Sequence, residues 1–397
     1  MRKLFLIAAL AVPAPAVADV WQGTLVDPAY LRTIHDETPT LPRGLAPHER
    51  GVALPDALRV PFAPPPGPVR AQAEYEPNDG LLVRWNSQTA LITQMAVAVT
   101  TLTADARMYV VVTGASQQSS ASATLSGAGV DMSRVVFVTQ PCSSGCSVWM
   151  RDYGPRFVDD AGARGAIDHV YNRPRPVDDA FPGVWATTTG EAKYDIPLTH
   201  GGGNFHLFAN RRAFMTQLIV NENPGVTAQQ IRDYYTAYQG LDVEIVPAFP
   251  SSFDSTQHID MWVYPVDDDE IIVGEYPAAA GGGVPKQVSD DFAAARASDG
   301  YTVYRTPGWS SGGTHFTYAN AIVLNEIVMV CRFNNAQTPS GTGAENTQAA
   351  NTFAAAFQDK TIVPVDCSGI IGLAGAIHCI VMHVPRMSVP LLIDGFE

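Results

Sequence analysis

Two short stretches carry side chains suited to nucleophilic and proton-transfer chemistry. In Gln257-His258-Ile259-Asp260-Met261-Trp262, the histidine and the aspartate stand two apart. If the stretch is extended, both project from one face and set a base beside a carboxylate. A solvated polar strand face carrying His and Asp reads the same way. In Gly375-Ala376-Ile377-His378-Cys379 the neighbouring His and Cys point to opposite faces if extended, so a base for Cys379 must come from elsewhere. A buried, inert cysteine is the common alternative for such a residue. Three further stretches are rich in polar and special residues beside apolar runs: Trp149-Met150-Arg151-Asp152-Tyr153-Gly154-Pro155, His200-Gly201-Gly202-Gly203-Asn204-Phe205-His206, and Tyr171-Asn172-Arg173-Pro174-Arg175-Pro176. Loops at strand ends are where sites tend to sit. In the last of these, alternating prolines stiffen two arginines.

The five cysteines narrow the role of Cys379. The N-terminus has Arg2 and Lys3, an apolar run from Leu4 to Val12, and the small-x-small triplet Ala16-Val17-Ala18. This predicts a signal peptide over 1–18 and a secreted or periplasmic mature chain beginning near Asp19. No later stretch is long and apolar enough to span a bilayer, so no membrane association is expected after cleavage. In an oxidising compartment thiols that can pair usually do. Cys142 with Cys146 and Cys331 with Cys367 are the suspected pairs, which leaves Cys379 over. A zinc site at Cys142 and Cys146 lacks a second ligand pair at suitable spacing. The net charge of −14 and the absence of a long basic run disfavour nucleic acid and suit a cationic substrate.

The elements that must position these residues recur in one order. Residues 19–70 lack periodicity and end in a proline-rich run, which reads as an arm rather than a domain. From there to about residue 388, hairpin, helix and strand repeat. Ser147–Asp159 and Ala163–Tyr171 form one hairpin, and Gln257–Val266 and Glu270–Tyr276 a second. The second leads into a helix over Val284–Ala297 and a strand over Tyr301–Thr306. A third hairpin over Phe316–Phe333 precedes a helix over Gly343–Gln358 and a strand over Thr361–Val365. Between them, strand, helix and strand occupy Arg212–Asn221, Thr227–Tyr238 and Val243–Pro247. Such repetition predicts α/β modules stacked around a shared centre. Asp267-Asp268-Asp269 reads as a solvated hairpin tip, with calcium binding the lesser alternative. Residues 389–397 are a tail of unassigned role.

Taken together, the ordered motifs resemble the agmatine deiminase and Porphyromonas-type peptidylarginine deiminase family, guanidine-modifying enzymes of the five-bladed α/β propeller (pentein) fold. They are Tyr75-Glu76-Pro77, Trp-x-Arg-Asp-Tyr-Gly-Pro from Trp149, Gly-Gly-Gly-Asn from Gly201, His258-x-Asp260, Thr317-Tyr318-Ala319-Asn320 and Ile377-His378-Cys379. The resemblance implies that Cys379 attacks a guanidinium carbon while Asp152 and Asp260 grip its nitrogens. His258 would move the protons, Asn320 would polarise or position the site, and Trp149 would bind substrate. A planar cation with donors on two edges matches two bidentate carboxylates, and covalent capture divides a hard displacement into two easier ones. No metal or organic cofactor is required. The same resemblance has Arg173 and Arg175 meet a substrate α-carboxylate, which predicts C-terminal peptidyl arginine as substrate. Agmatine hydrolysis, amidino transfer and a catalytically dead propeller that binds arginyl peptides are the alternatives. The Gly-Gly-Gly-Asn stretch continues as Phe205-His206-Leu207-Phe208 without the acid that the resemblance suggests there, so no substrate contact carries over from that loop.

Overall fold

Apolar runs such as Leu81-Leu82-Val83 and Val110-Val111-Val112 suit strands covered on both faces, and all six residues are fully buried. They lie in a computed structural model that describes residues 18–60 and 63–386. The expected signal segment, but for Ala18, and the tail 389–397 fall outside the described residues.

The chain forms five small sheets, each built on one plan: an antiparallel hairpin, a helix, then a strand parallel to the second hairpin strand. In the second unit, Arg156–Asp160 pairs with Ala163–Tyr171, the helix Phe181–Thr189 follows, and Ala192–His200 returns alongside. The third uses His206–Leu207, Arg212–Thr216, the helix Ala228–Gln239 and Asp242–Val246. The fourth uses Val263–Pro265, Glu270–Glu275, the helix Val284–Ser298 and Thr302–Ser311. The fifth uses Ile322–Leu324, Ile327–Arg332, the helix Ala344–Ala356 and Thr361–Asp366. The first unit draws on both ends of the body: Met382–Pro385 pairs antiparallel with Asn78–Arg84, and Arg107–Val112 returns after the helix Thr89–Leu102. The repeated α/β module expected from the sequence is therefore present five times.

Local boundaries differ where polar turns interrupt apolar runs. A short helix, Met150–Tyr153, occupies the start of the expected first hairpin, and Gly154-Pro155 returns the chain to strand geometry at Arg156. The strand expected over Arg212–Asn221 ends at Thr216, whose hydroxyl accepts from the Leu218 N–H as a helical turn begins. The strand expected from Phe316 belongs instead to the fourth sheet, where Thr314–Thr317 folds back on Thr302–Ser311. Both suspected disulfides are formed, Cys142–Cys146 and Cys331–Cys367, and Cys379 is free and buried.

The N-terminal arm is laid over this body through specific bonds. Val20 bridges Ile362 in the fifth sheet, and the Tyr30 hydroxyl donates to the Thr124 carbonyl at 2.8 Å. Asp36 accepts from the backbone and hydroxyl of Thr89 at the start of its helix, at 2.8 and 2.7 Å. Beyond that point the arm turns inward.

Candidate active site

Each unit contributes a residue from the segment that leads into its first strand. Asp152 precedes Arg156–Asp160, the glycines 201–203 precede His206–Leu207, and His258 and Asp260 precede Val263–Pro265. Asn320 precedes Ile322–Leu324, and Cys379 precedes Met382–Pro385. The repeat therefore brings together residues far apart in the chain, and all five of these side chains are buried. His258 and Asp260 do so through a 3₁₀ turn over Ile259–Met261, and not along one face of a strand as expected.

The group they surround is a guanidinium, that of Arg43 from the arm. Asp152 takes Arg43 Nε at 2.9 Å and Nη2 at 2.8 Å. Asp260 takes Nη1 at 3.2 Å and Nη2 at 3.0 Å. Nη2 also lies 2.7 Å from His258 Nδ1. A guanidinium only donates, so Nδ1 accepts and the ring proton sits on Nε2. That Nε2 is buried with no hydrogen-bond partner among the described residues. The two carboxylates thus hold the plane along two edges. Cys379 stands beside it: its sulfur accepts from Asn320 Nδ2 at 3.1 Å and lies 3.6 Å from Asp260 Oδ2, the oxygen that also takes Nη2. The Asn320 carbonyl oxygen is fixed by the His378 N–H at 3.0 Å.

Glycines leave the room for this arrangement. A Cβ on Gly203 would overlap Arg43 Nη2 and lie 2.7 Å from Asp260 Oδ2. One on Gly375 would lie 3.0 Å from the Cys379 sulfur and 3.1 Å from Arg43 Cδ. The Gly203 N–H also donates to Asp152 Oδ1 at 3.1 Å.

Burial and charge set the protonation states. Burial opposes the Arg43 charge, but Asp152 and Asp260 outweigh it and hold its pKa well above the ordinary value. Burial would raise both carboxylates; Arg43 overrides this and keeps Asp152 and Asp260 ionised. Burial, reinforced by Arg43, pushes His258 down to about 4. Burial pushes the Cys379 thiol well above its usual value, with Asp260 and Asp152 adding to the effect and Arg43 opposing it. At neutral pH the site therefore holds a neutral thiol and a neutral imidazole around a cation.

Trp149, Arg173 and Arg175 meet the main chain of the arm. Trp149 Nε1 donates to the Leu41 carbonyl at 2.8 Å. Arg173 Nε donates to the carbonyl of Arg43 itself at 3.1 Å. Arg175 Nη2 donates to the carbonyls of Pro42 and Gly44 at 2.8 and 3.0 Å, and Arg175 pairs with the buried Glu49 at 2.7 Å. The Arg43 N–H donates to the Leu373 carbonyl at 3.0 Å. Arg175 is thus engaged by the arm.

Sequence reasoning missed Arg43, and it set His378 aside as a partner for Cys379. His378 Nδ1 lies 3.0 Å from Asp260 Oδ2, and its Nε2 lies 3.1 Å from Glu74, so it braces the carboxylate. The signal for Arg43 was faint: an arginine between Pro42 and Gly44, in an unpatterned arm of a chain whose other residues suit a guanidinium.

Comparison with known proteins shows the family and the fold. The family model described as Porphyromonas-type peptidyl-arginine deiminase matches residues 70–385, starting at the last residue of the arm. A Streptomyces avermitilis protein, named provisionally as an agmatine deiminase, is 27% identical over 270 residues, or 60% of this chain and 74% of that protein. Among solved structures, a variant of the C. jejuni agmatine deiminase with substrate bound superposes with a TM-score of 0.67 at 15% identity, over 80% of this chain and 97% of that one. The agmatine deiminase of Enterococcus faecalis gives 0.67 at 17% identity, over 82% and 98%.

Proposed function

Since the chain belongs to the Porphyromonas-type peptidyl-arginine deiminase family, whose members hydrolyse guanidino C–N bonds, we propose that it converts the arginine of a peptide to citrulline and ammonia. The supporting observation is the seat of Arg43, whose guanidinium is doubly bidentate beside a free thiol while Arg173 holds its main-chain carbonyl.

In this reading Asp152 and Asp260 bind and orient the guanidinium. Cys379 gives up its proton through His258, and its sulfur bonds to the guanidinium carbon. The carbon–nitrogen bond to the nitrogen beside His258 then breaks, and ammonia leaves with the proton that Cys379 surrendered. Water, deprotonated by His258, attacks the thiouronium carbon. The sulfur departs and regains a proton, leaving a ureido group. Asn320 steadies the sulfur throughout. No step needs a metal or an organic cofactor.

Arg173 and Arg175 choose the substrate. With the arm displaced, Arg175 loses Glu49 and both guanidiniums face the place where a substrate α-carbonyl would lie. A free carboxylate there gains a charge-assisted bond worth about 1.5 to 3 kcal/mol, so arginine at a peptide C-terminus is favoured. The test measures ammonia release by the Arg43→Gln chain from a peptide ending in arginine, its C-terminal amide, agmatine and free arginine. The free-acid peptide is expected to have the highest kcat/KM; equal values for acid and amide would remove the clamp. The names of the similar proteins favour agmatine as the second reading, and agmatine as the best substrate would establish it. Export is part of the proposal, supported by two disulfides beside one unpaired thiol.

A further inference from the structure

The arm carries a guanidinium into the site by a route the family match leaves out, since that match begins at residue 70 and Arg43 lies before it. Arg43 is seated as a substrate would be. Its Nη2 is shared by Asp152, Asp260 and His258 at 2.8, 3.0 and 2.7 Å. The Cys379 sulfur and Nη2 both approach Asp260 Oδ2, and the sulfur and Arg43 Cδ both border the space that a Cβ on Gly375 would fill. The flanking chain is held as peptide: the Leu41, Pro42, Arg43 and Gly44 carbonyls all accept from Trp149, Arg173 or Arg175. Arg43 is fully buried, so no second guanidinium enters while it remains.

We propose that Arg43 is a modification site of the chain's own active site: Cys379 converts it to citrulline, and the conversion unlocks the arm. The proposal rests on the deiminase reading above and adds that the first substrate is intramolecular, an arginine with peptide on both sides. The Cys379 sulfur bonds to Arg43 Cζ as the Cζ–Nη2 bond breaks and ammonia leaves with the thiol proton. Water then adds to Cζ and the sulfur departs as thiol. One water is consumed, one ammonium is released, and no oxidant or reductant takes part. Citrulline is uncharged, so two buried carboxylates lose the cation that compensated them, which is strongly unfavourable. The ureido oxygen that takes the place of Nη2 only accepts, so it faces Asp152, Asp260 and His258 Nδ1 with no proton to give. The arm then lifts from the pocket, and Glu49 leaves Arg175 free for an incoming carboxylate.

The test follows residue 43 by peptide mass spectrometry in the full-length chain after purification and timed incubation, with Cys379→Ala alongside. Expected is citrulline at position 43 in the native chain and arginine in Cys379→Ala, with a rate independent of protein concentration. Native chain should also release ammonia from added arginyl peptide after a lag that Arg43→Gln lacks. Arginine persisting at position 43 in a chain that turns over added peptide would overturn self-modification and leave the deiminase reading intact. Citrulline at position 43 in Cys379→Ala would overturn it too. If Arg43→Gln releases no ammonia from peptide, agmatine or arginine, the deiminase reading falls together with the proposal.

Discussion

At the scale of single residues, the site turns on where one proton sits. With the guanidinium in place, His258 is pushed down to about 4 and Cys379 well above the ordinary thiol value, so at neutral pH the imidazole is neutral and the transferable proton sits on sulfur. The reactive thiolate–imidazolium form carries the same number of protons, and reaching it needs an internal transfer only. Below about pH 4 His258 binds a second proton, and the thiol has nowhere to send its own. Above the raised thiol pKa the pair has lost the proton that ammonia must take. The kcat profile for an arginyl peptide is therefore expected to be flat between about pH 5.5 and 8.5, with an acid limb near 4. A limb with its midpoint near 7 in a steady-state pH series would contradict the assignment. His258 and Cys379 were both recognisable from residue type. Arg43 was not, because an arginine acquires a role of this kind only when two distant carboxylates are placed around it.

At the scale of elements, short irregular segments ahead of five strands build the pocket, and their glycines are spatial requirements. Gly203 passes so close to the seated guanidinium that a methyl group there must displace it. Overpacking of this sort costs about 1 to 3 kcal/mol, so Gly203→Ala should lower kcat/KM for arginyl peptides roughly ten- to a hundredfold in a chain that still folds, with the loss in KM. Native kinetics in a folded Gly203→Ala chain would show that the space is not needed. Helices and parallel strands were legible because their apolar periodicity is a property of the segment alone: the helix expected over Thr227–Tyr238 spans Ala228–Gln239 and opens with a capping box between Thr227 and Gln230. The turn at Ile259–Met261 was hidden, since alternation of His258 and Asp260 suits a strand equally well. The arm's path was hidden for a related reason. Its bonds are to main-chain carbonyls and single side chains of the body, which leave no period in its own sequence.

At the scale of the whole molecule, five copies of one unit bring their leading segments to one site. The Cys331–Cys367 disulfide ties the hairpin of the fifth unit to the loop after its parallel strand, across a separation of 36 residues. A loop of that size is worth about 3 to 4 kcal/mol. The double variant Cys331→Ser/Cys367→Ser should therefore show a lower denaturant midpoint by that amount of free energy; an unchanged midpoint would mean the bridge adds nothing. The repeated order of hairpin, helix and strand made the architecture readable, whereas the contribution of both chain ends to the first unit followed only from the pairing of Met382–Pro385 with Asn78–Arg84. The account depends most on the sulfur of Cys379 being the nucleophile. Ammonia release from a peptide ending in arginine, compared between Arg43→Gln and Arg43→Gln/Cys379→Ala, tests this directly. The account predicts that removing the sulfur lowers kcat by roughly 10⁵- to 10⁶-fold, and equal rates for the two chains would contradict it.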